Sequence, residues 1–285
     1  MKIHLIETGN FKLDGGAMFG VVPKSLWQKT NPADSNNMCD WALRCLLIEN
    51  GKQLILIDTG IGDKQSEKFF SHYFLSNVVT LEQSLNQKGF QLDEITDVFL
   101  THLHFDHCGG AVKWNKDKTG FEPVFKNAKY WSTENHWNWA TKPNQREKAS
   151  FLTENIIPLQ ESGQLQFVNR VGDYTKNVFE NIDVFFVDGH TESMMIPHIH
   201  YKGKTIVYMA DLLPSVGHIP LPYVMGYDTR PLLTMNEKAK FLNSAANDCF
   251  VLLFEHDAAN ECCTLKETEK GIRLKDCFSF NEIFT

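Results

Sequence analysis

Across 285 residues the chain is 42% hydrophobic and 22% charged, with a net charge of -7 and an isoelectric point near 5.9. That balance describes a globular protein able to bury a sizeable core. With no Lys/Arg block it argues against a binder of nucleic-acid phosphates, and no apolar run approaches the roughly 18 residues of a membrane span.

Nothing in the composition forces a split, so a single domain over residues 1–285 is expected. The stretch from Met1 to Gly9 lacks the apolar segment of a secretory leader. The seven cysteines are odd in number and scattered, which fits reduced thiols and a cytoplasmic location better than a disulfide framework.

Ile3 to Thr8 reads as a strand, with Ala17 to Val22 as its hairpin partner across the turn-rich Lys12-Leu13-Asp14-Gly15-Gly16. The polar stretch Pro23 to Pro32 reads as a loop in which Trp27 is a candidate lid residue. Trp41 to Glu49 and Gln53 to Asp58 flank Asn50-Gly51, a strong hairpin signal. A carboxylate closing the apolar run Leu54 to Ile57 needs a partner, so Asp58 is expected to meet a metal ligand or backbone donors. Ser66 to Phe74 and Thr80 to Lys88 read as helices, the second capped by Thr80 and stopped before Gly89.

Val98-Phe99-Leu100 then reads as a buried strand running into Thr101-His102-Leu103-His104-Phe105-Asp106-His107-Cys108-Gly109-Gly110. If the backbone is still extended at His102 and His104, their side chains face the same way while Leu103 points into the core. A reversal after Phe105, allowed by Gly109-Gly110, would aim Asp106 and His107 at a second point a few ångströms away. Zinc takes three or four nitrogen and oxygen ligands, and a catalytic ion keeps one position for water. Four local ligands therefore suggest two metals, with further ligands supplied from downstream.

Downstream, Pro123 to Trp131 reads as a strand and Ser132 as the cap of a helix through Trp139. A further helical stretch to Gln160 makes residues 132–160 a helical insertion that could wall a pocket. Ile182 to Val187 is a strand running into Asp188-Gly189-His190-Thr191. A hairpin, His198 to Tyr201 against Thr205 to Met209, delivers Ala210-Asp211. Thr229 to Asn247 is a helix, and Phe250 to Phe254 is a strand ending in Glu255-His256-Asp257. Strands that release polar ligands at one end build a site along a sheet edge.

His-Leu-His-Phe-Asp-His, Gly-His-Thr, Ala-Asp and Glu-His together resemble the metallo-β-lactamase superfamily, in particular its branch of N-acyl homoserine lactonases, glyoxalase II and methyl parathion hydrolase. The resemblance runs from the first strands to His256. It implies an α+β fold, a four-layer αββα sandwich, with a metal site of seven ligands. His102, His104 and His190 would hold one ion and Asp106, His107 and His256 the other. Asp211 would bridge them, and Asp58 would support the ligands from behind. A Cys in place of Asp211, or a Glu in place of His104, would point to other branches of the family.

Two divalent ions about 4 Å apart can hold a hydroxide and polarise a carbonyl or phosphoryl oxygen. Zinc suits these ligands, and iron, manganese or cobalt would also fit. Asp106 can also accept a proton through its second oxygen and pass it to the leaving group. Lactonases of this branch often carry a Tyr after the bridging Asp, whereas Leu212 stands here, so His218 is the candidate oxyanion donor. Phe105, Trp27, Trp137 and Trp139 are candidates to line an apolar cavity for an acyl or aryl group.

The expected activity is hydrolysis of a small lactone or ester, acyl homoserine lactones included. Phosphotriester or thioester hydrolysis is the alternative, ahead of a ribonuclease Z-like phosphodiesterase and a non-catalytic metal-binding protein. The expected partner is a small-molecule substrate, with no nucleic acid and no membrane, and a homodimer is compatible with this reading.

Overall fold

A computed structural model describes residues 1–284 and divides the chain into two compact units. The first comprises Met1–Asn10 and Leu43–Arg170, the second Phe11–Ala42 and Val171–Thr285. In chain order the strands are β1 (Lys2–Asp14), β2 (Met38–Asn50), β3 (Gln53–Ile57), β4 (Asp97–Phe99), β5 (Val112–Trp114), β6 (Phe121–Pro123), β7 (Lys129–Ser132) and β8 (Leu165–Phe167). They continue as β9 (Tyr174–Phe179), β10 (Ile182–Val187), β11 (Met194–Tyr201), β12 (Lys204–Tyr208), β13 (Val251–Leu253), β14 (Cys262–Lys266) and β15 (Arg273–Phe278).

One mixed sheet has the order β1-β2-β3-β4-β7-β8 and the other β15-β14-β13-β12-β11-β10-β9. In the first, β2 and β3 pair antiparallel with Asn50 opposite Gln53, and Gly51 takes the positive φ of 62° that the tight turn demands. Strands β3, β4 and β7 then run parallel. Parallel neighbours present their C-terminal ends on one edge. Asp58 follows the end of β3 and Thr101-His102 the end of β4, so that edge collects the polar residues. The second sheet repeats the device where β12 and β13 run parallel, with Asp211 and His256 beyond their ends.

The core of the first unit is a continuous apolar cluster including Leu47, Leu56, Val98, Leu100, Leu103, Phe125, Tyr130, Trp137, Phe151 and Leu159. Leu103 points into it, as the alternation of His102 and His104 demands. Helices Glu134–Thr141 and Thr153–Glu161 contribute Trp137, Ala140, Ile156 and Leu159 to that core.

Several expected elements take another form. Residues 17–22 do not return as a strand. β1 continues to Asp14, whose carboxylate accepts the Ala17 N–H at 2.8 Å and caps a short helix, Gly15–Phe19. The segment 123–131 is broken between β6 and β7, where Gln164 donates to the carbonyls of Phe125 and Ala128 at 2.9 and 2.7 Å. Thr133, not Ser132, caps the following helix through the His136 N–H. Only Glu67–Phe70 of the expected helix over 66–74 is helical, capped by Ser66.

Candidate metal centre

The expected ligand residues fall on both units. In the first, His102, His104, Asp106 and His107 are all buried, the last two in a four-residue helix, Phe105–Cys108. The glycines after it serve close approach rather than a left-handed turn. A Cβ on Gly109 would collide with the Ile61 carbonyl, and one on Gly110 with the Thr59 carbonyl. The Lys64 ammonium donates to the Gly109 carbonyl.

Asp58 is the anchor of this group. One of its oxygens accepts the Thr101 N–H at 2.8 Å, and the other accepts the Thr101 hydroxyl at 2.7 Å and lies 3.1 Å from His107 Nδ1. Because the Thr101 hydroxyl spends its proton on Asp58, its oxygen is left to accept from His102 Nδ1 at 3.1 Å. One carboxylate thus orients two imidazoles. Its φ of 56° puts a non-glycine residue in the left-handed region, a strained conformation kept where it serves a site.

These supports orient the ring nitrogens that could ligate. With Nδ1 of His102 donating to Thr101, Nε2 carries a lone pair, and it lies 3.0 Å from His104 Nδ1. His104 turns Nε2 toward Glu147 Oε1 at 3.5 Å, which leaves its Nδ1 directed at His102. Metal–nitrogen bonds of about 2.0–2.1 Å at tetrahedral angles put neighbouring ligand atoms roughly 3.3 Å apart, so the spacing suits a shared ion. Asp106 lies 3.8 Å from His107 Nε2.

The second unit shows the same logic. His190 Nδ1 lies 3.0 Å from Asp228, and His256 Nδ1 lies 2.8 Å from the Ala42 carbonyl. The opposite nitrogens converge on Asp211, whose Oδ2 is 3.0 Å from His190 Nε2 and whose Oδ1 is 3.1 Å from His256 Nε2. Burial pulls the pKa of His190 down, but Asp211 and Asp228 outweigh it and leave the imidazole raised to about 10. The two carboxylates favour positive charge here, and a metal ion would bind His190 by displacing its proton. Asp228 is itself fixed by the Met225 N–H at 3.1 Å, and Glu237 holds the loop by accepting the N–H groups of Asp188 and Gly189 at 2.7 and 3.0 Å.

Three expected roles are corrected. His218 is not an oxyanion donor. Its Nε2 lies 2.9 Å from the Met18 carbonyl and its Nδ1 2.9 Å from the Ser215 hydroxyl, so the single N–H of a neutral imidazole is already used on an acceptor. The ring stacks on Phe19 at 4.3 Å, and burial holds its pKa down at about 3. Trp27 is a core residue stacked on the other partner of that cluster, Phe19, at 5.3 Å, and Gly15 has no Cβ because the indole occupies that space. Trp137 belongs to the apolar core of the first unit, so both indoles are packed in core positions. Phe105 packs against Phe69 at 5.4 Å and Tyr73 at 4.8 Å. Burial, with the charge of Asp106, pushes the Tyr73 phenol up to about 12 and keeps it protonated.

Reading the chain alone misses Glu147, Asp228 and Tyr73. Tyr73 had a visible signal in the run Phe69-Phe70 and Tyr73. Glu147 sits in a stretch taken as helical, where nothing local marks it as facing an imidazole. It also accepts from Trp139 Nε1 at 2.7 Å and Asn144 at 2.6 Å. Glu147→Gln preserves that shape and removes the charge facing His104, so activity and metal affinity should fall by about tenfold with the melting temperature little changed. Unchanged kinetics and metal retention would reduce Glu147 to a packing role.

The buried His218 also sets a pH dependence of stability. Its pKa is near 3 in the folded chain against 6.5 for a free imidazole. Below pH 6.5 the unfolded chain binds a proton that the folded chain refuses, so stability is complete above that pH and is lost as the pH falls toward 3. The loss reaches up to about 1.4 kcal/mol per pH unit. Melting curves between pH 7 and 5 should show the midpoint falling with acidification, and His218→Asn should flatten that slope. Parallel slopes for the two proteins would assign the effect elsewhere.

The sequence pattern of the Metallo-beta-lactamase superfamily matches residues 44–256, and the chain belongs to that superfamily. It has the fold of that family and is a metal-dependent hydrolase. An N-acyl homoserine lactonase of Bacillus thuringiensis subsp. kurstaki, AiiA, is 20% identical over 273 residues, which cover 91% of this chain and 94% of that protein. The solved structure of a probable metal-dependent hydrolase from Staphylococcus aureus is 28% identical, with a TM-score of 0.83 over 97% of this chain and 96% of that one. AidC, a dizinc quorum-quenching lactonase solved with a product, is 22% identical, with a TM-score of 0.75 over 98% and 94% of the two chains.

Proposed function

We propose that the protein hydrolyses a small lactone or ester, acyl homoserine lactones included, with two divalent cations, zinc foremost. The observation that carries this reading is Asp211, whose two oxygens each lie 3.0–3.1 Å from the inward nitrogen of a different imidazole. A carboxylate held in that way is suited to be shared between two ions. His102, His104 and His190 would hold one cation, Asp106, His107 and His256 the other, with Asp211 common to both. When bound, the cations would supply a water acidified toward neutrality and polarisation of the substrate carbonyl.

The chain supplies the remainder. Asp58, Asp228, Glu147 and the Ala42 carbonyl fix the ring orientations, so the ligands need no rearrangement as charge develops. Asp106 offers a carboxylate that can carry a proton to the leaving alkoxide. Phe105, with Tyr73 packed beside it, offers an apolar surface suited to an acyl chain. Relatives named as lactonases over nearly the whole chain support the substrate class.

The test pairs elemental analysis with a substrate panel of lactones, aryl esters, thioesters and phosphotriesters. Two cations per chain and fastest turnover of a lactone or ester are expected, with activity lost to a chelator and restored by zinc. A single ion at every loading would overturn the two-metal assignment. Turnover confined to phosphotriesters or thioesters would overturn the substrate class.

A further inference from the structure

Within the second unit, on residues that hold none of the site described above, lies a cavity of about 350 Å³. Its walls follow from strand register. Phe185 of β10 is paired with Tyr174 of β9, and Asp183 of β10 with His198 of β11. Residues directly opposite or two apart share a sheet face, so Tyr174, Phe185 and His198 emerge together. Phe241, on the helix Pro231–Asn247, and Phe250, just before β13, complete the aromatic part of the lining, and Lys240, Ser244 and Asp248 add polar groups to it. All four aromatic rings stand nearly perpendicular to the imidazole, at centroid distances of 5.5 Å for Tyr174, 6.4 Å for Phe185, 6.0 Å for Phe241 and 5.6 Å for Phe250.

His198 is only 4% exposed, and it is a polar group packed among aromatic rings at the wall of an open groove. Its Nδ1 lies 3.1 Å from the Ile196 carbonyl, which can only accept, so the proton sits on Nδ1 and Nε2 is left with a lone pair. That nitrogen has no hydrogen-bond partner among the described residues. Burial pushes the imidazole pKa down to about 4, so the ring is neutral near pH 7 and Nε2 remains an acceptor. An acceptor on the wall of an open space of this kind is satisfied by water until a ligand brings a donor to it.

We propose that this cavity binds a neutral aromatic molecule of one or two rings that carries one O–H or N–H donor, with the rings packed among Tyr174, Phe185, Phe241 and Phe250 and the donor on His198 Nε2. The space is large enough for one or two rings, which would keep one edge in solvent near Lys240 and Asp248. Edge and face contacts to four rings provide the affinity, and the single acceptor provides the selection. This site is independent of what the metal centre hydrolyses.

The test uses indole and 1-methylindole, which differ in the donor and little in apolar surface. Titration followed by ligand-observed NMR and calorimetry should show saturable one-to-one binding of indole, with 1-methylindole weaker by about 2- to 10-fold, the worth of one net hydrogen bond. Indole should also shift the nitrogen resonance of His198 Nε2 in the unaltered protein, a readout that needs no variant to fold. His198→Phe should bind both indoles equally. Absence of saturable binding, equal affinities in the parent, or an unmoved Nε2 resonance at saturation would each overturn the proposal.

Discussion

Asp211→Ala is expected to abolish most hydrolysis, by well over the roughly 100-fold that marks the upper end for a residue merely supporting a ligand, and to leave the protein unable to retain two cations. The carboxylate is buried, with one oxygen 3.0 Å from His190 and the other 3.1 Å from His256. Its removal takes a donor from both proposed ions at once, whereas removal of any one imidazole takes a donor from a single ion. It also takes from His190 the neighbour that, with Asp228, outweighs the cost of burying its charge. Elemental analysis after gel filtration, beside steady-state kinetics, checks both parts. Asp211→Asn controls for shape, because it keeps the volume and one acceptor oxygen but replaces the other with an amide that donates. It should lose most of its second equivalent of metal. Either variant holding two cations with parental turnover would remove Asp211 from the shared position.

Asp58→Asn should lower kcat/KM by about 10- to 100-fold, toward the upper end, and weaken metal affinity in parallel. Asp58 accepts from the Thr101 backbone and hydroxyl and faces His107, and through Thr101 it also sets His102. An amide has only one acceptor oxygen for that group of donors, and its NH2 would confront either the Thr101 N–H or His107 Nδ1. The second imidazole is reached through a hydroxyl, so Thr101→Val offers an independent check. Losing that hydroxyl should affect His102 alone and cost less than Asp58→Asn. Equal kinetics for Asp58→Asn and the parent would leave Asp58 as a residue that only closes its strand.

Much of this architecture was legible because its signals are local. Asn50-Gly51 between two apolar strands specifies a turn whatever surrounds it, and β2 and β3 pair through it. Apolar runs ending abruptly in Asp58, His102, Asp211 or His256 announce buried strands that release polar groups at their ends, since such groups cannot stay in the interior without partners. Local signals also misled. Asp14-Gly15-Gly16 has the composition of a hairpin turn, yet the same carboxylate serves equally well as a helix cap, and the Trp27 ring packed against Gly15 accompanies the helix.

By itself, then, the sequence determined which imidazoles and carboxylates stand at strand ends, because alternation and strand termination are written in consecutive residues. Only the tertiary structure decided what stands behind them. Glu147 reaches His104 across 43 positions of chain, and Asp228 reaches His190 across 38. A carboxylate in a loop carries no mark of the ring it will face. The same holds for His218, Trp27 and Trp137. An aromatic or imidazole ring is equally suited to line a cavity or to fill a core, and the choice depends on which neighbours the completed fold presses against its faces and hydrogen-bonding atoms.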